Sequence, residues 1–236
     1  MRRRGRTTVD GIGLRGVLPG NEDPRIQLLV IDDQAHDTLA DLLPEARRGM
    51  IRIFGTATRC AQLVADWLAW GSDTVAAMVC SELQTVPSLT LPSDLTLQPV
   101  QRLDDDEGGG GVALADAVAA AMSASSAIEG PPAAFAEYLR SLPSTFRLFA
   151  AIDSHGAVRA TSGSGVFGQY ATVIFVNTDP DWRGRGIGQA MTAQALRAAS
   201  CAGARRASLD ASDAGRSIYL RLGFENAGTI IRFMST

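Results

Sequence analysis

The chain has 236 residues, of which 46% are hydrophobic, 20% charged and 6% aromatic. That balance suits a globular chain with one large core or two smaller ones, and it excludes a disordered polymer, a collagen-like repeat and a disulfide scaffold. No apolar run approaches the roughly 20 residues of a membrane-crossing helix, and a net charge of −3 gives no reason to expect a polyanionic partner.

Residue usage narrows the chemistry further. All 22 basic residues are arginine, so Schiff-base, pyridoxal phosphate and Walker-type phosphate-loop chemistry are removed together. Three widely spaced cysteines, Cys60, Cys80 and Cys201, fit a reduced, cytoplasmic protein. His36 and His155 are the only histidines, which argues against Ser-His-Asp catalysis and against a His-rich metal centre, and no metal is expected. The basic start, Arg2 to Arg6, has no apolar segment behind it and reads as a solvated terminus rather than a signal peptide or a nucleic-acid anchor.

The first half alternates strands and helices. Gln27–Asp32 is a short buried-strand run. Leu39, Leu42 and Leu43 repeat with helical spacing until Pro44, and Met50–Phe54 is a strand closed by Gly55. Leu63, Val64, Trp67 and Leu68 share one helix face, and Thr74–Cys80 is strand-like again. This βαβαβ order predicts a small α/β module over residues 1–86, with Trp67 and Trp70 in its core and no chemical motif. The prolines and small polar residues of 87–94 predict a linker.

The second half, 95–236, opens with an alternating edge-strand pattern at Leu95–Val100. The acid run Asp104–Glu107 and four glycines follow and read as a solvated loop. Helices are predicted over 112–127 and 131–142. A hairpin is predicted from 147–152 and 157–162, with His155 exposed in its turn. Ala171–Asn177, rich in β-branched and aromatic residues, is the most strand-like segment of the chain.

Two glycine clusters invite a phosphate-binding reading. Gly163-Ser164-Gly165-Val166-Phe167-Gly168 matches G-x-G-x-x-G but runs into a strand, so it lacks the helix N-terminus that would hold a pyrophosphate and reads as a bulge or turn. Arg183-Gly184-Arg185-Gly186-Ile187-Gly188 follows a strand and opens a helix in which Ile187, Met191 and Ala195 lie four apart. First-turn N–H groups without partners, a positive dipole end and two arginines make that segment an anion site.

The second cluster resembles the GNAT superfamily of CoA-dependent N-acyltransferases, whose motif is Arg/Gln-x-x-Gly-x-Gly/Ala after a strand. A further family motif, Tyr followed shortly by Leu-Gly-Phe, is matched by Tyr219-Leu220-Arg221-Leu222-Gly223-Phe224. Leu209–Arg216 is similar to a subgroup with Ser212 where many members carry Asn. The resemblance covers about residues 93–236. It implies an α/β (α+β) fold with a mixed, mostly antiparallel sheet flanked by helices. The N-terminal module is then either a degenerate copy of that fold or a cover for the acceptor site.

By the same resemblance, Phe175, Val176 and Asn177 line the pantetheine arm of acetyl-CoA. The loop amides from Arg185 through Gly186, Ile187, Gly188 and Gln189 to Ala190 hold the pyrophosphate, with Gly184 in the loop and Arg183 and Arg185 assisting. Tyr219 gives a proton to the departing thiolate; the plainer reading of Tyr219 is a buried helix aromatic. The implied activity is acetyl transfer from acetyl-CoA to the primary amine of a small molecule or peptide, with neither nucleic acid nor membrane as partner. A CoA-binding sensor without turnover is the alternative. Glu129, Asp179 and Asp210 are the carboxylates considered for the base, and none is assigned. After Gly223-Phe224 the tail has room for one strand, starting near Gly228, with Ile230, Arg232 and Met234 on one face and Ile231 and Phe233 on the other. Apolar residues on both faces predict a strand covered on both sides.

Overall fold

A computed structural model describes residues 7–18, 25–100, 110–125 and 131–235. Arg2–Arg6, the acid run Asp104–Glu107 and Glu129 lie outside the described residues. The chain divides into two compact units. The first comprises Met1–Ala77, Asp210–Asp213 and Asn226–Thr236, and the second comprises Met78–Leu209 and Ala214–Glu225.

The first unit begins with a hairpin that sequence periodicity does not announce, β1 (Thr7–Gly11) and β2 (Leu14–Leu18). It continues with β3 (Arg25–Val30), α1 (His36–Leu42), β4 (Arg48–Phe54), α2 (Thr58–Trp67) and β5 (Gly71–Cys80), whose last residues pass into the second unit. β1, β2 and β3 form an antiparallel meander, and β3 pairs with β4 in parallel. The last strand of the chain, β11 (Glu225–Met234), lies antiparallel to β4 from Ile230↔Phe54 to Met234↔Met50.

Alternation along β4 and β11 gives this sheet two faces. Ile51, Ile53 and Phe233 enter the core with Leu39, Leu43, Cys60 and Val64 of the helical layer, while Ile230 joins Val75, Ala77 and Phe54. The predicted apolar character of both faces of β11 is therefore met, although the strand begins at Glu225, three residues before Gly228. Trp70 packs against the core, but Trp67, expected inside, is 56% exposed. It is the last residue of α2.

The second unit runs β6 (Leu95–Val100), α3 (Gly110–Ala124), α4 (Pro132–Ser141), β7 (Phe146–Asp153), β8 (Val158–Phe167), β9 (Tyr170–Thr178), α5 (Ile187–Cys201), β10 (Arg206–Ala211) and α6 (Asp213–Arg221). β6 to β9 are antiparallel neighbours, and β10 pairs with β9 in parallel. From β7 onward the order β-β-β-α-β-α-β repeats that of β1 to β5, including the parallel pair after the meander. α4 starts with Pro132, whose missing N–H costs nothing in a first turn.

Of the first glycine cluster, Gly163 and Gly165 lie inside β8, Gly163 at the step in the β8–β9 register, and Gly168 lies in the turn that follows. A Cβ at Gly163 would run into the Leu148 side chain, and one at Gly165 into the Phe146 ring. Alternating with them, Ser162 and Ser164 face the other way and are buried, donating hydrogen bonds to the α5 carbonyls of Met191 (2.7 Å) and Ala195 (3.0 Å). Small residues on both strand faces thus let α5 and β7 approach β8 closely. Only Gly168 turns the chain, into β9. His155 sits exposed in the β7–β8 turn, as expected.

Candidate active site

Four pieces of the second unit assemble the site: the end of β9, the loop 179–186, the start of α5, and α6. The β8–β9 register steps from Thr161↔Asn177 to Gly163↔Ile174, so β9 spends three steps where β8 spends two. The extra residue is a bulge at Phe175 and Val176. Phe175 has φ +54, the single non-glycine with positive φ among the described residues. An L-residue there carries about 1–2 kcal/mol of strain, which its surroundings offset. The Thr161 hydroxyl donates to the Phe175 carbonyl at 2.7 Å, and the ring stands edge-on to Phe135 (5.3 Å) and Tyr138 (6.2 Å) of α4. The β9–β10 ladder covers three pairs, Arg206↔Tyr170 to Ser208↔Thr172, and stops short of the bulge.

After β9 the chain makes one 3-10 turn, Pro180–Trp182, capped by the Asp179 side chain, which accepts from the Asp181 N–H (3.1 Å). Gly186 then serves as N-cap of α5 at φ +75, with no side chain capping the helix. Ala190 N–H bonds to the Gly186 carbonyl, whereas the N–H groups of Ile187, Gly188 and Gln189 have no partner among the described residues. A Cβ built at Gly184 or Gly186 meets nothing within 4 Å, so the glycines serve the left-handed backbone and the space before it is open. Gly188 differs: a Cβ there would come within 3.3 Å of both Ile218 Cδ1 and Thr178 Oγ1, so the glycine packs closely against α6 and the end of β9. An open helix N-terminus with bare N–H groups fits a pyrophosphate.

The arginines of the loop are already engaged. Arg183 Nε donates to the Thr178 carbonyl at 3.1 Å. Arg185 Nη2 reaches both oxygens of Asp94 (2.9 and 2.8 Å) and its guanidinium lies 4.6 Å from the Trp182 ring centre. The Arg185 hydrogen bonds hold the Asp94 carboxyl below its usual range. Arg159 also stacks on Trp182 at 5.1 Å, and it ties Asp153 (2.8 Å) to Asp179 (2.7 Å). Sequence reasoning did not foresee Trp182, Asp94 or Arg159 as the pedestal of this loop, because its members come from three separated segments. Arg221 of α6, likewise unforeseen, lies 3.4 Å from Gln189 Oε1.

The Tyr…Leu-Gly-Phe motif has a local cause. Gly223, at φ +85, ends α6. The Phe224 N–H bonds to the Tyr219 carbonyl (3.0 Å) and the Gly223 N–H to the Leu220 carbonyl (3.2 Å), a Schellman cap. Its customary apolar contact is Phe224 against Tyr219, ring centres 6.0 Å apart. The motif therefore fixes the tyrosine by capping its helix. Tyr219 is 7% exposed, its hydroxyl has no hydrogen-bond partner among the described residues, and burial pushes its phenol up to about 12.

Of the carboxylates considered for the base, Asp179 is paired with Arg159 as above, and Asp210 lies 3.4 Å from Arg52. No thiol is a ready nucleophile in the cores: burial raises Cys60 to about 11 and also raises Cys80. Among the described residues no group of three metal-ligating side chains occurs, and no helix is long and apolar enough to cross a membrane.

Residues 145–226, roughly a third of the chain, match a family model described as an acetyltransferase (GNAT) domain. Solved structures share the fold over nearly the whole chain. A GCN5-related N-acetyltransferase from Kribbella flavida is 20% identical with a TM-score of 0.65, over 98% of this chain and 90% of that one. A GCN5-related N-acetyltransferase from Sphaerobacter thermophilus is 17% identical with a TM-score of 0.58, over 94% and 76%. A tandem GNAT protein from the clavulanic acid biosynthesis pathway is 17% identical with a TM-score of 0.56, over 94% and 78%. At these identities the likeness speaks for the fold. No curated protein matches.

Proposed function

We propose, from the acetyltransferase (GNAT) domain at residues 145–226, that this chain is an acetyl-CoA-dependent N-acetyltransferase acting on a primary amine in the cytoplasm. The observation that carries the reading is the uncapped N-terminus of α5 behind a glycine turn, at the end of a bulged strand. Ile187, Gly188 and Gln189 would bind the CoA pyrophosphate through their N–H groups. Phe175, Val176 and Asn177 would run beside the pantetheine arm. Acetyl-CoA supplies an activated acyl group.

An alkylammonium must lose its proton before it can attack. Asp179 is engaged by Arg159 and Asp210 by Arg52, and neither is assigned as the base. Tyr219 suits the leaving group. A phenol near 12 stays protonated throughout the neutral range and keeps its O–H for the departing sulfur. A CoA thiol ionises near ~8.5 by analogy with cysteine. Tyr219 would offer its O–H to the thiolate as charge builds on the departing sulfur.

The first unit reads as a second copy of the fold that has lost this site. After β3, where the second unit has its glycine loop after β9, stand Asp32 and Asp33. Asp32 accepts from the Gln34 N–H (2.9 Å) and Asp33 from the Cys60 N–H (3.0 Å). These carboxylates occupy local N–H groups and would repel phosphate, so one CoA per chain is expected. Release of free thiol from acetyl-CoA in a screen of amines, aminoglycosides and peptide N-termini tests the function. CoA binding with no thiol release by any amine would instead favour a sensor.

A further inference from the structure

We propose that Ser125 is a positioning residue that turns the Asn177 carboxamide so that its oxygen accepts a hydrogen bond from an amide N–H of the pantetheine arm. The proposal rests on the CoA reading above and adds a residue and a direction to it.

Ser125 immediately follows α3, and Asn177 stands two residues beyond Phe175, next to the bulge of β9. Asn177 Nδ2 lies 2.8 Å from Ser125 Oγ. An amide side chain can be turned either way at such a distance, so its orientation must come from the partner. Ser125 has a single hydroxyl proton, and two helix carbonyls claim it: Ala121 O and Met122 O, each 3.1 Å away. With that proton spent inside α3, Ser125 Oγ can only accept. Asn177 must then offer its NH₂ to the serine and leave Oδ1 on the other side. Among the described residues no donor reaches Oδ1, and Asn177 is half-buried. A half-buried carbonyl without a donor loses hydrogen bonding unless a ligand or water supplies it. The pantetheine arm carries amide N–H groups and is the segment placed beside β9. Pairing Asn177 to the end of α3 also anchors that helix where the strand departs from its ladder.

Titration calorimetry with the full chain separates the possibilities. CoA is compared with adenosine 3′,5′-bisphosphate, which keeps the nucleotide end and lacks the arm. Ser125→Ala should weaken CoA by about threefold to tenfold, the worth of one neutral hydrogen bond, and leave the bisphosphate unchanged. Ser125→Thr, which retains the hydroxyl, should bind CoA like the parent. Asn177→Ala should lose a similar amount, and the double variant should be no worse than Asn177→Ala alone. Unchanged CoA affinity in Ser125→Ala overturns the proposal. So does an equal loss for both ligands, or losses that multiply in the double variant. A folded parent chain that binds the bisphosphate and CoA equally well refutes the arm contact while keeping the nucleotide site. A parent that binds neither refutes the CoA reading itself.

Discussion

Replacing Tyr219 by Phe removes one hydroxyl and keeps the ring that packs on Phe224. Because that hydroxyl has no partner among the described residues, stability should change by no more than about 0.5 kcal/mol. The chemical step should suffer more. Burial holds the phenol up to about 12, so it keeps its proton throughout the neutral range and can donate a hydrogen bond to a departing thiolate. In the proposed reaction the phenol would be that donor. A hydrogen bond to a charged group contributes about 1.5–3 kcal/mol, which corresponds to a fall in kcat of roughly 10- to 150-fold. CoA affinity should stay within about twofold, because the bond forms only as charge builds on sulfur. The assay is single-turnover thiol release from acetyl-CoA with a saturating amine, run from pH 7 to 10. The parent should show no descending limb near pH 10, since a tyrosine held near 12 keeps its proton there. Full kcat in Tyr219→Phe, with chemistry limiting, would refute the role. A limb near pH 10 that vanishes in the variant would refute the raised phenol.

Three other outcomes follow from the same geometry. Gly188→Ala should destabilise through its contacts with Ile218 and Thr178, by about 1–3 kcal/mol in a denaturant titration; a fully stable variant would show that these neighbours yield. A fragment 93–236 loses β4 and with it the partner of β11, baring Ile230 and Phe233, which are 4% and 5% exposed in the whole chain. At about 1.5–3 kcal/mol for each such side chain, it should bind an apolar dye or self-associate, and a monomeric fragment as stable as the intact chain would contradict this. Asp153 is held below the usual carboxyl range by Arg159 and by the Ala157 and His155 N–H groups. A depressed folded value stabilises above the unfolded value of about 3.9 and is lost as pH falls through the folded one. Asp153→Asn should therefore melt below the parent at pH 7, the gap closing on acidification below pH 4, and a gap independent of pH would rule out the charge as its cause.

Much of this architecture was legible in residue order because its causes are local. The alternation in Met50–Phe54, the helical spacing from Ile187 and the glycines at the head of α5 act over a few residues, and the elements stand where the pattern puts them. The Leu-Gly-Phe run was legible as a motif, and its physical content, a cap that pins Tyr219, needed the hydrogen bonds. What escaped depends on distant partners. Thr161 holds the strained Phe175 from across a strand pair, and Asp94 meets Arg185 from 91 positions away. Gly163 and Gly165 look like a phosphate loop or a turn until Leu148 and Phe146 are seen against them. Trp67 falls on the apolar stripe of α2 by spacing, but its terminal place puts it outside. That β11 pairs with β4, nearly 180 residues earlier in the chain, follows from no local pattern, although its apolar residues on both faces announced that something covers it.

The proposed function stands or falls on CoA binding at the loop 183–190. Calorimetric titration of the full chain with CoA, beside a folded Gly186→Asp variant, tests it most directly. A Cβ at Gly186 would stand in open space, so the variant can fold at the cost of local backbone strain, about 1–2 kcal/mol, while its carboxylate would meet the phosphates. Saturable binding of one CoA per parent chain is expected, with its loss, or a weakening of at least about a hundredfold, in the variant. Equal affinity in the two proteins, or no binding to the folded parent, would contradict it.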